Sequence, residues 1–166
     1  MFSVPIRVSR GVLVSLFVAS LGLLAACNGN NDVTGTGAAL VRLNVDAPDS
    51  AVSDHSFNVN LTAQNVGVTS VLNGVVTVTL PSPLTVSSVN AGGGTSATFA
   101  NSGSGATVTW TLNTLGANSS STLTIQTMGT LASGAANLPI AIQAQLTADG
   151  INPGESVATD SVTLTP

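Results

Sequence analysis

The chain has 166 residues, with three arginines, no lysine, no tyrosine, seven carboxylates and one histidine, a formal charge of −4 and a mean hydropathy of +0.47. So little basic charge leaves no electrostatic footprint for nucleic acid and no patch for anionic lipid headgroups. The length fits one domain after any leader, and an apolar share of 43% can build a core, unlike the polar tracts that stay unfolded.

The amino-terminal stretch sets where the mature protein begins. Arg7 and Arg10 precede an apolar segment, Gly11 to Leu23, interrupted by Ser15, Ser20 and Gly22 and followed by small residues, the layout of a secretory signal. From Gly11 to Ala26 it spans 16 residues, short of the about 20 that a membrane-crossing helix needs. An uncleaved anchor and an ordinary signal peptide with an incidental thiol are the plainer alternatives. Leu24-Ala25-Ala26-Cys27 resembles the lipobox of bacterial lipoprotein precursors. That resemblance implies a diacylglycerol on the Cys27 thiol, cleavage between Ala26 and Cys27, and a membrane contact made through the lipid. It also accounts for an odd cysteine, which in a secreted chain otherwise needs a partner or stays reactive. Two acyl chains, at about 0.8 kcal/mol per buried methylene, anchor stably where one is marginal. Asn28 stands behind the cysteine where an Asp tends to hold such proteins in the inner membrane, so the resemblance implies the outer membrane of a diderm envelope.

The remaining 140 residues carry Arg42 as their sole arginine or lysine against seven carboxylates, a formal charge of −6. Serine and threonine, 37 of the 140, replace charge as the main surface polarity. Asn28 to Ala38 is rich in Asn, Gly, Thr and Asp and reads as a flexible tether. The expected organisation is a signal peptide over 1–26, a lipidated cysteine and tether over 27–39, and a β-sandwich over 40–166.

Strands dominate from there on. Val41, Leu43 and Val45 alternate with Arg42 and Asn44, and Asp46-Ala47-Pro48-Asp49-Ser50 supplies a turn. The clearest period of two sets Phe57, Val59, Leu61 and Ala63 against Asn58, Asn60, Thr62 and Gln64. Asn65-Val66-Gly67 and Asn73-Gly74 punctuate the chain before the run Val75 to Leu80, which Pro81 and Pro83 end. Leu84 to Val89 follows, and glycine-rich stretches at 92–94 and 102–105 bracket a weak strand around Phe99. Val108, Trp110 and Leu112 alternate with threonines, as do Leu123 and Ile125. Ile140, Ile142, Ala144 and Leu146 share one strand face, and a turn at 149–154 leads into a last strand near Val157 to Leu164. Seven to nine short strands without helical spacers predict an antiparallel sandwich. Trp110 is expected between the sheets.

Several of these segments carry a second resemblance. Phe57 to Gln64 with Asn65 and Gly67, then Val75-Val76-Thr77, Leu80-Pro81, Leu84-Thr85-Val86, Trp110, Leu115, Leu123-Thr124-Ile125, Asn137 and Asp149 resemble the bacterial repeat domain of domain-of-unknown-function family eleven. The resemblance implies an immunoglobulin-like antiparallel β-sandwich of a cell-surface or secreted protein, usually without assigned catalysis. Val78 and Asn118 stand where that family often has an acidic residue and a glycine.

Candidate chemistry can be tested by elimination. With no lysine or tyrosine and Cys27 given to lipid, His55 is the one nitrogen base that could activate a nucleophile, and no G-x-S-x-G elbow is present. Paired carboxylates could come from Asp149, Glu155 and Asp160. Asp149, Asn152 and Glu155 on one turn, and Asp46, Asp49 and Asp54 on another, offer oxygen ligands that suit calcium, but neither spacing matches the twelve-residue calcium loop. Gly92-Gly93-Gly94 opens no helical pattern and is no phosphate cradle. The expectation is therefore a lipid-anchored envelope module with no cofactor and no small-molecule substrate, acting by contact in a structural, adhesive or assembly role. A ligand- or calcium-binding lipoprotein is the alternative, and a hydrolase using His55 a more distant one. Absence of lysine leaves strand edges without a common guard, so a protein partner at an edge strand is expected, with Leu40 to Val45 as that edge.

Overall fold

The computed structural model describes residues 32–34, 40–151 and 157–166. Its strands in chain order are β1 (Asp32–Thr34), β2 (Val41–Asp46), β3 (Ser50–Val52), β4 (Ser56–Asn65), β5 (Val71–Pro81), β6 (Leu84–Ala91), β7 (Ser96–Ser102), β8 (Gly105–Leu115), β9 (Ser120–Gly129), β10 (Leu138–Thr147) and β11 (Val157–Thr165). One sheet has the order β1-β2-β4-β9-β6 and the other β3-β11-β10-β5-β8-β7. Every pairing is antiparallel except that of β3 with β11. Nine strands have six residues or more, in line with the seven to nine expected, and β1 and β3 add three residues each. Three residues are too few to show a period of two, so neither could be read from the sequence.

Alternation creates the layers. In β4, Val59, Leu61 and Ala63 are buried while Asn58, Asn60 and Gln64 are exposed, and β8 treats Val108, Trp110 and Leu112 against Thr107 and Thr109 in the same way. Successive strand residues point to opposite faces, so the apolar sets of the two sheets meet in one core that includes Val41, Leu43, Leu80, Leu84, Leu123, Ile125, Ile142 and Leu164. Trp110 lies fully inside it, as expected, and donates its indole N–H to Thr95 Oγ1 at 2.9 Å.

Three expectations need correction. Asn73-Gly74, expected to punctuate the chain before the run Val75 to Leu80, lies inside β5 as an irregularity, where the register with β8 shifts on both sides of Gly74. Asn73 and the opposing strand's Asn113 both take positive φ, at 53° and 54°, a conformation that asparagine tolerates better than most residues. The strand Leu40 to Val45 is not an outer edge, because β1 pairs with β2 on the side away from β4, matching Asp32 with Leu43 and Thr34 with Val41. By the same pairing, Asp32–Thr34 is a strand within the stretch read as a tether. The sheet order depends on distant pairings that local alternation does not encode.

Candidate functional site

The expected site residues are scattered over the molecule. Ala26, Cys27, Asn152 and Glu155 lie outside the described residues. Asp149 is exposed at the end of β10, where its Oδ2 accepts a hydrogen bond from Asn73 Nδ2 at 2.8 Å and its N–H donates to Leu72 O at 3.1 Å. Asp160 is half-buried on β11, and its two oxygens accept from Ala47 N and Ser161 N, each at 2.8 Å. The carboxylate pair imagined from Asp149 and Asp160 is therefore divided between separate backbone and side-chain duties.

His55 is exposed just before β4, with Nδ1 3.0 Å from Ser53 O. Its neighbour Asp54, at φ 63°, accepts from Thr130 Oγ1 at 2.8 Å and donates its N–H to Gly129 O. These contacts knit the β3–β4 connection to the end of β9. Among the described residues, no three side chains of His, Cys, Asp or Glu gather closely enough to hold a metal ion. No helix among them is long and apolar enough to cross a membrane.

The polar side chains with the most organised surroundings are not among the expected site residues. Asn65 is completely buried at the end of β4. Its Nδ2 donates to Thr69 O at 2.7 Å and Leu115 O at 3.0 Å, and its Oδ1 accepts from Gly67 N at 2.9 Å. Asparagine two residues before a glycine is an Asx-turn signal, so this contact was half visible in the punctuation at 65–67. Thr127, also fully buried, donates to Thr85 O at 2.7 Å. Asn101 on β7 grips Val86 on β6, accepting from its N–H and donating to its carbonyl, both at 2.9 Å. That amide joins the two sheets along one side, and no local sequence signal marks it.

What remains open is surface. The register carries a neutral row across the six-stranded sheet, Gln145 beside Thr77, Thr77 beside Thr109, and Thr109 beside Thr98. The other sheet aligns Asp46, Asn60, Thr124 and Asn90. The outer strands differ sharply. β1 and β3 have three residues each, and β6 has a register shift between Val86 and Ser88 besides the Asn101 grip. β7 is regular over seven residues against β8 and is exposed at every position but Ala97.

Solved structures share this arrangement of two sheets. The cohesin module of a family 33 glycoside hydrolase from Clostridium perfringens superposes with a TM-score of 0.56 at 10% identity, covering 81% of this chain and 98% of that one. The CARDB domain of the PF1109 protein from Pyrococcus furiosus, crystallised in complex with di-metal ions, gives 0.55 at 16% identity over 84% and 98%. Its solution structure gives 0.51 at 18% identity over 75% and 94%. The fold is an immunoglobulin-like β-sandwich. At these identities the likeness is one of fold. No protein-family model matches the chain, and no curated protein sequence matches it. The sandwich thus has to be read through its own surfaces.

Proposed function

We propose that the chain is a lipid-anchored module of a bacterial cell envelope that acts by contact with a protein partner and performs no chemistry of its own. The observation that carries this reading is the distribution of polarity. The outer face of the six-stranded sheet holds mainly threonine, serine, glutamine and small apolar residues at its ladder positions; Leu72 lies at one end, and the nearest carboxylate there, Asp149, is held by Asn73 beyond the end of β10. Such a face offers hydrogen bonds and little desolvation penalty, since neutral groups cost less to dehydrate than ions. The lipobox at Cys27 supports anchoring after cleavage behind Ala26, and Asn28 supports the outer membrane.

Two measurements test the reading together. Cys27→Ser should abolish labelling by a clickable fatty acid and leave an unprocessed precursor; unchanged labelling would remove the anchor. In the native protein, His55→Ala and Asp149→Asn should leave capture of envelope proteins unchanged. Loss of capture by a folded His55→Ala protein would transfer the function to chemistry at that histidine.

A further inference from the structure

We infer that β7 is a self-association edge, through which a second copy of this chain pairs antiparallel to form one continuous sheet across a two-fold axis. The inference rests on the contact reading and names the partner. Among the outer strands of the described residues, β7 alone combines length, regular register and exposure, since β1 and β3 have three residues each and β6 has a register shift and is gripped by Asn101. Outer strands are commonly guarded against pairing by lysine, proline, inward charge or a bulge, and Ser96-Ala97-Thr98-Phe99-Ala100-Asn101-Ser102 has none of these.

The choice of a second copy comes from the strand's self-complementarity. Antiparallel pairing about Phe99 sets serine against serine at 96 and 102, Ala97 against Asn101, and Thr98 against Ala100. No like charges meet and no large side chain is forced against another except at the axis. There Phe99 meets its copy. Phe99 pairs with the buried Val108, so it lies on the inward face of the sheet, yet it remains 39% exposed. Residues opposite one another in a ladder share a face at about 5 Å, so the two rings would cover each other. A two-fold interface uses the same patch on both copies, and this edge satisfies that condition without any second surface.

The test is cross-linking of the native, membrane-held full chain. Phe99→Cys should form a disulfide dimer, because directly opposed Cβ atoms lie near bridging distance. Ser96→Cys alone should not, whereas coexpressed Ser96→Cys and Ser102→Cys chains should link to each other. In detergent, Thr98→Lys combined with Ala100→Lys should weaken the dimer at least about tenfold. Mixing that variant with a Thr98→Asp, Ala100→Asp variant should restore it. Unchanged Trp110 fluorescence reports that each variant folds. A chain that stays monomeric at about 100 μM, or Ser96→Cys linking as well as Phe99→Cys, overturns the inference. If the lysine variant instead loses a different envelope protein while the wild type is monomeric, self-pairing is wrong and the contact reading stands.

Discussion

Replacing Asn65 should be among the most damaging single changes in the molecule. The side chain is completely buried and makes three hydrogen bonds of 2.7, 2.9 and 3.0 Å, tying residues 67 and 69 and the end of β8 to β4. A hydrogen bond contributes about 1 kcal/mol net, and a buried group left without its partner costs about 1–3 kcal/mol. Asn65→Ala removes one acceptor and two donated bonds at once, so a loss of at least about 3 kcal/mol is expected. With m of about 1–3 kcal/mol/M in urea, the unfolding midpoint should fall by about 1 M or more. Asn65→Asp keeps the shape and the acceptor for Gly67 N but turns oxygen toward two carbonyls. The introduced carboxyl is thereby held above its unfolded value of about 3.9. A raised pKa makes the folded state bind the proton more tightly. The deficit against wild type should therefore be smallest below about pH 4 and grow as pH rises through the folded-state value. Urea titrations at several pH values read both effects. An Asn65→Ala midpoint within error of wild type, or an Asn65→Asp deficit independent of pH, would refute this account of the loop.

Trp110 fluorescence should be blue-shifted and resistant to aqueous quenchers, and Trp110→Ala should cost about 3–5 kcal/mol in the same titration. A spectrum like that of free tryptophan would contradict its place in the core. Gly105 has φ 124°, and a Cβ there would collide with the Leu80 carbonyl and the Pro81 backbone. Gly105→Ala should therefore destabilise by more than about 2 kcal/mol, whereas Gly103→Ala in the open turn beside it should stay within about 0.5 kcal/mol. Equal effects of the two substitutions would show that the close approach is not limiting.

Much of the fold was legible because burial on one face imposes a period of two. Val59, Leu61 and Ala63, or Val108, Trp110 and Leu112, announce both their strands and their inward side. Sheet order was less accessible. Placing Leu40 to Val45 at an edge required knowing whether Asp32–Thr34 would return to pair with it, and β1 lies in a segment whose composition resembles a linker. Asn73-Gly74 shows the same limit, because residues favouring positive φ serve a bulge as well as a turn. The candidate carboxylates were grouped by sequence distance. In the structure Asp149 binds Asn73 and Asp160 binds Ala47 N, and that division follows from strand ends, not from spacing. Asn101 was invisible because its partner, Val86, belongs to another sheet.

The parallel contact between β3 and β11 has a mechanical meaning. Ser50–Val52 runs in the same direction as residues 163–165, with Thr163 N donating to Asp49 O and Ser53 N donating to Thr165 O at either end of the patch. Tension applied between residue 41 and residue 166 therefore drags these two segments past each other lengthwise. Hydrogen bonds lying across the direction of pull share the load and must yield together. A hairpin pulled open from its ends would lose them one after another. Resistance to such a pull is governed by the unfolding barrier and not by equilibrium stability, so substitutions that weaken this small patch should lower the rupture force more than they shift the urea midpoint.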